Sequence, residues 1–236
     1  MAMRKPTYSR WLDEEGKPLL LRWQYNRAET IADAIVHVLG TTAALAAGAT
    51  LIALAVRFAP PPTIIAVIIY VVCLITGLLV SAAYNLWPIS ATKWILRRFD
   101  HSAIFLLIAG SYTPFLIQLH EPLISHGLLA FVWLIALLGV ALKLAWPGHL
   151  DRLSIALYLG LGWSGLVAYK PITTELPASA PMLLITGGVL YSIGVIFHLW
   201  HRLRFQNALW HVFVLLAAAC HYAAVVALVL PGEAPA

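Results

Sequence analysis

Long apolar runs alternate along this chain with short polar stretches. Seven of the runs reach membrane-spanning length, at roughly 30–56, 62–86, 101–119, 123–145, 152–170, 181–200 and 208–230. A spanning helix needs about 20 predominantly apolar residues. The connections between runs are short, so spans adjacent in sequence are expected to pack antiparallel. No internal repeat, low-complexity segment or linker interrupts them. The pattern predicts an all-α integral membrane protein, a seven-transmembrane helix bundle over 30–230 preceded by a tail at 1–29. Helix punctuation agrees. Asn26-x-x-Glu29 resembles a capping box ahead of the first span. Pro60-Pro61-Pro62 separates the first two spans, Trp87-Pro88 ends the second, and Pro171 ends the fifth. Pro114 falls inside the third and is expected to kink it.

Composition strengthens the membrane reading. The chain is 61% hydrophobic and only 11% charged, against about 25% charged for a soluble domain. Its net charge of +5 does not indicate a nucleic-acid partner, because the basic residues are spread over the connections. That distribution encodes topology. The tail, Lys93, Arg97, Arg98, Lys143, Arg152, Arg202 and Arg204 fall on one side; only Arg57 and Lys170 fall on the other. Positive charge stays inside, which puts the N-terminus in the cytoplasm and the C-terminal PGEAPA outside. The first 29 residues lack the apolar region and small-residue site of a cleaved signal. Cys73 and Cys220 sit singly in apolar runs, as packing residues.

Depth along the spans gathers polar residues in the cytoplasmic third. Ser81 and Asn85 share a face near the end of the second span. Asp100, His101 and Ser102 stand at the mouth of the third, Asn207 and His211 at the start of the seventh, Glu29 and His37 at the start of the first. Ionisable groups at such depth are costly and usually face a bundle interior. A plainer account is also open. Asp100 and Asn207 are good N-cap types, Asn85 can serve as a C-cap, and His211 and Ser81 can simply bond between helices. His221 lies ten positions beyond His211, about 15 Å deeper, and reads as a packing histidine. His198 and His201 read as interfacial; His120, His126 and His149 give no usable signal.

SAAYNLW, RRFDHSAIFLLIAGSYTPF and FQNALWHVFVLLAAACHYAAV, with ETIADAIVHVLG near the N-terminus, resemble the haemolysin III family. That family is the bacterial branch of the progestin and adipoQ receptor superfamily, related to alkaline ceramidases. The resemblance covers about 25–230. It implies a seven-helix bundle in the bacterial inner (cytoplasmic) membrane, with a cytoplasm-side zinc site activating water for hydrolysis of a lipid amide. The superfamily pattern is Ser-x3-His, then Asp, then His-x3-His. By that pattern Ser81, Asp100 and His211 are the catalytic candidates, and His211 and Asp100 the metal candidates. The other two histidine positions carry Asn85 and Asn207. A carboxamide is a poor zinc ligand, so zinc fits this shell badly and no other cofactor is indicated. His37 joins only if the first span leans inward.

The substitutions suggest instead a hydrogen-bonded polar core of Ser81, Asn85, Asp100, Asn207 and His211, with Glu29 and His37 beside it. Three functions follow. The favoured one is a non-catalytic regulator or sensor of membrane lipid or energetic state, with membrane lipids as partners. The second is a zinc-dependent lipid amide hydrolase, and the third, from the family name, is a cytolysin.

Overall fold

The computed structural model describes residues 25–146 and 151–231. Most of the predicted tail, and the chain beyond 231, lie outside the described residues. All regular structure among the described residues is helical apart from isolated turns: α1 (Arg27–Phe58), α2 (Pro61–Leu86), α3 (Ala91–Leu116), α4 (Pro122–Ala145), α5 (Asp151–Trp163), a 3₁₀ turn (Ser164–Ala168), α6 (Tyr169–Glu175), α7 (Ser179–Leu199) and α8 (Gln206–Val229). Five of these, α1, α2, α4, α7 and α8, are long and apolar enough to cross a membrane.

The two remaining predicted spans differ from expectation, each for a local reason. α3 begins ten positions before the predicted 101. Ser90 caps it, its side chain accepting from Lys93 N. Lys93 and Arg97 are buried, and the Lys93 ammonium donates to the Asn85 and Trp87 carbonyls at 2.9 Å each, closing the end of α2. Asp100 therefore lies well inside α3 rather than capping it.

The fifth span is broken. Its regular helix stops at Trp163, before Pro171, which instead sits in the first turn of α6, where a missing N–H costs nothing. Tyr112 of α3 repairs the break. Its hydroxyl accepts from Gly165 N at 2.7 Å and lies 2.6 Å from the Gly162 carbonyl, to which it can donate. Irregular backbone at membrane depth is tolerated when protein satisfies its polar groups.

The expected capping box opens α1. Asn26 and Glu29 exchange backbone and side-chain hydrogen bonds at 2.9 Å. The buried face of α1 then reads Asp33, His37, Gly40, Ala44, Gly48, Leu51 and Ala55. Those three- and four-residue steps are one side of a helix, small residues deep down and two ionisable ones at its start. α1 packs on α2 and α8, while α7 packs on α8 and α3 on α2 and α4. Small residues set the close approaches, as expected where helices associate by van der Waals fit. A Cβ on Gly110 would stand 2.6 Å from the Cβ of Cys73. Tyr70, Val67, Leu51, Leu116 and Val225 fill the core on the far side of the bundle from the polar residues.

Candidate functional site

Glu29, Asp33 and His37 follow one another at four-residue steps along α1. They meet the first turns of α8. The Glu29 carboxylate accepts from Phe205 N at 3.0 Å. Phe205 has φ 60, a left-handed conformation at the entry to α8, so Glu29 ties down a backbone turn that a non-glycine residue adopts at some cost. One turn further, Asn207 donates its amide to Asp33 Oδ2 and lies equally near Asn85 Oδ1, both at 2.9 Å. Asn85 in turn directs its amide to Ser81, 2.9 Å from the carbonyl and 3.3 Å from the hydroxyl. Another turn along, His211 Nδ1 stands 2.7 Å from Asp33 Oδ1. An ionised carboxylate can only accept, so that pairing fixes the proton on Nδ1 and leaves Nε2 as the imidazole's free nitrogen.

His37 completes the group. It is 5% exposed, its Nε2 is 3.6 Å from Asp33 Oδ2, and its ring centroid is 4.2 Å from that of His211. Its Nε2 is buried without a hydrogen-bond partner. Asp33, His37 and His211 are all buried, with potential ligand atoms within 4.8 Å of one another, and this group could hold a metal ion.

Asp100 lies elsewhere in the cluster. It pairs with its neighbour His101, Nδ1 to Oδ2 3.3 Å, and interacts with Ser81. The sequence-predicted residues thus form two adjoining groups: Glu29, His37, Asn85, Asn207 and His211 around Asp33, and Ser81 and His101 around Asp100. Asn207 is inside α8 and Asn85 inside α2, so neither acts as a cap; both side chains face the network. His37 is turned into the bundle, against His211. Asp33 is missing from the set predicted from sequence. The signal for it is the Glu29-x3-Asp33-x3-His37 spacing, which places three ionisable residues on one face of an otherwise apolar span.

His37, Ser81, Asp100 and His211 line one end of a cavity of about 230 Å³. Beyond them the walls are mostly apolar: Leu78, Ile104, Leu107, Val214 and Leu215, then Leu166, Ile172 and Ile185 past the broken fifth span. Small-molecule sites usually run from about 300 to 1,000 Å³, and this space lies just below that range.

Comparison with known proteins agrees with this architecture. A family model described as haemolysin-III related matches residues 25–222. The Bacillus subtilis (strain 168) Hemolysin-3 homolog is 37% identical over 194 residues, covering 82% of this chain and 91% of its own. The Bacillus cereus Hemolysin-3 is 37% identical over 204 residues, covering 86% and 93%. The human Monocyte to macrophage differentiation factor is 33% identical over 129 residues, 53% of this chain and 52% of its own. No solved structure matches.

Proposed function

The chain belongs to the haemolysin-III-related family, and on that premise we propose that it is a lipid-responsive regulator of the bacterial inner membrane. In this reading the chain crosses the bilayer seven times, α3 and the α5–α6 segment included, with its N-terminus in the cytoplasm. It takes one acyl chain into the bundle and holds the lipid's polar linkage at Ser81, Asp100 and His211.

The observation that carries this is the cavity itself: apolar walls ending in a small convergent set of polar side chains. That combination is the usual form of a ligand site. The 2.7 Å contact of His211 with Asp33 is hydrogen-bond geometry, which supports a polar core joined by direct hydrogen bonds between side chains. Glu29 and Asp33 lie one turn apart on α1, and Glu29 holds the turn at Phe205, so the helix offers a path from cavity to cytoplasmic surface. Lipid extraction from purified protein is the test, beside Gly77→Leu. Gly77 lines the cavity, and a Cβ there meets only Leu107, at 3.9 Å, so bulk enters the cavity with little strain. About one acyl lipid per chain is expected, lost in the variant. An empty wild-type protein that takes up no lipid from vesicles would sink the reading.

A second reading, a zinc-dependent lipid amide hydrolase, is favoured by one observation. A carboxylate and two imidazoles converge at Asp33, His37 and His211, a donor set suited to zinc, and His37 Nε2 has no competing partner. These three would hold the ion, rather than the family's positions at Asn85 and Asn207. When bound, zinc supplies Lewis-acid polarisation of a carbonyl and acidification of water. The chain's own contribution is then positional. Asn207 holds Asp33 in orientation, Asp100 can take a proton, and Ser81 can donate to a carbonyl oxygen. Elemental analysis decides: about one zinc per chain, lost in Asp33→Ala and kept in Asp100→Asn, supports this reading, and metal-free protein after zinc is added back removes it.

A further inference from the structure

A second pair of polar side chains lines the same cavity far from its polar end. Tyr191 of α7 and His221 of α8 both face it, their rings edge to face with centroids 5.6 Å apart. His221 presses its ring edge onto Gly187, where a Cβ would stand 2.5 Å from Nε2. Nε2 is buried against α7 without a hydrogen-bond partner. The Tyr191 hydroxyl belongs to the same stretch of cavity wall. Polar groups in an apolar wall cost free energy unless something satisfies them. His221 is ten positions beyond His211 on α8, which is about 15 Å along the helix.

We propose that Tyr191 and His221 form a second ligand subsite, which takes a hydroxyl or similar polar substituent carried partway down the bound acyl chain. This rests on the lipid-binding reading above. The Tyr191 hydroxyl and the His221 imidazole between them offer a donor and an acceptor, the complement of an alcohol. A span of 15 Å corresponds to roughly a dozen carbon–carbon bonds of an extended chain. The preferred occupant is therefore a hydroxyacyl lipid with its hydroxyl near the twelfth carbon and a neutral ester or amide head. Among the described residues no lysine or arginine lines the cavity to balance an anionic head beside Asp100.

The experiment uses the full chain in detergent and three probes: the ethanolamides of octadecanoic, 6-hydroxyoctadecanoic and 12-hydroxyoctadecanoic acid. Binding is read from tryptophan fluorescence, since Trp163 and Trp210 line the cavity. One net hydrogen bond predicts that the 12-hydroxy chain binds about three- to tenfold more tightly than the plain chain, and that the 6-hydroxy chain shows no such gain. Tyr191→Phe, which removes one oxygen and keeps the ring, should reduce the ratio of 12-hydroxy to plain-chain affinity toward one; His221→Gln should do the same. Equal binding of the plain and 12-hydroxy chains by the wild type, or a full preference persisting in both variants, overturns the subsite while leaving the lipid reading intact. Failure of all three probes to bind overturns both.

Discussion

Asp33 and Asp151 are both carboxylates shared between helices, but their partners differ in kind. Asp151, at the start of α5, receives Arg97 from α3 at 2.6 Å and Lys143 from α4 at 2.8 Å. Both partners are basic side chains and both are buried, while the Asp151 side chain is 36% exposed. Asp33 is far more enclosed, its side chain 8% exposed. Among the described residues its direct partners are two imidazoles and a carboxamide, with the Lys93 ammonium acting on it from further off. The deeper carboxylate thus has the weaker neutralisation. Burying a charge without a matched partner is costly, so a structure that only needed to join helices would be served better by the Asp151 arrangement. Asp151 closes a structural clamp. Asp33, with two imidazoles beside it, belongs to a group that could hold a cation.

The sharpest way to break this contrast is to remove each carboxylate. Asp151→Ala leaves Arg97 and Lys143 buried and uncompensated. It should cost about 3 kcal/mol, the low end for breaking a buried pair because Asp151 itself is partly solvated. Thermal unfolding in detergent reads this, and lipid and metal content of the folded protein should not change. Asp33→Ala should cost less, about 2 kcal/mol, since the partners stranded on His211 and Asn207 are neutral donors. Its main effect should fall on the cavity's polar end, seen as loss of lipid retention or of metal. If Asp151→Ala altered ligand content, or Asp33→Ala only stability, the two roles would be exchanged.

Asn207→Leu is smaller again, about 1 kcal/mol for its hydrogen bonds to Asp33 and Asn85. If a metal is bound, it should also weaken metal affinity by about tenfold through misorientation of Asp33. The smallest expected effect concerns pH. Burial by itself would raise the Asp151 carboxyl, but Arg97 and Lys143 outweigh it and hold the group below the ordinary carboxylate range. A depressed folded value means the stabilisation is complete above the unfolded pKa, near 3.9, and is lost as pH falls through the folded value. The stability difference between wild type and Asp151→Asn should therefore stay flat from about pH 5 to 8 and shrink only in strong acid. A slope across neutral pH would mean that Asp151 is not fully held by its cations.

Much of this was legible before the fold. The capping box at Asn26 and Glu29, the placement of most helix ends, and the gathering of Ser81, Asn85, Asp100, Asn207, His211, Glu29 and His37 at one depth follow from period, punctuation and charge. Asp33 was not read, although its spacing to Glu29 and His37 was available, because one acidic residue in an apolar run has no visible partner until a neighbouring helix supplies one. The expected caps at Asn85, Asp100 and Asn207 failed for a related reason. A side chain with cap chemistry is equally suited to an interhelical hydrogen bond, and local sequence does not distinguish the two.

The sequence by itself determined that this chain is helical and built for a membrane, because hydropathy and helix period are local properties that act segment by segment. Only the tertiary structure decided that Asp33, His37 and His211 meet, that Asp100 sits with His101 and Ser81, and that the fifth span breaks where Tyr112 can satisfy it. Those outcomes depend on the rotation and lean of each helix against its neighbours. Both are set by where Gly40, Gly48 and Gly110 allow close approach and by which buried polar groups find partners.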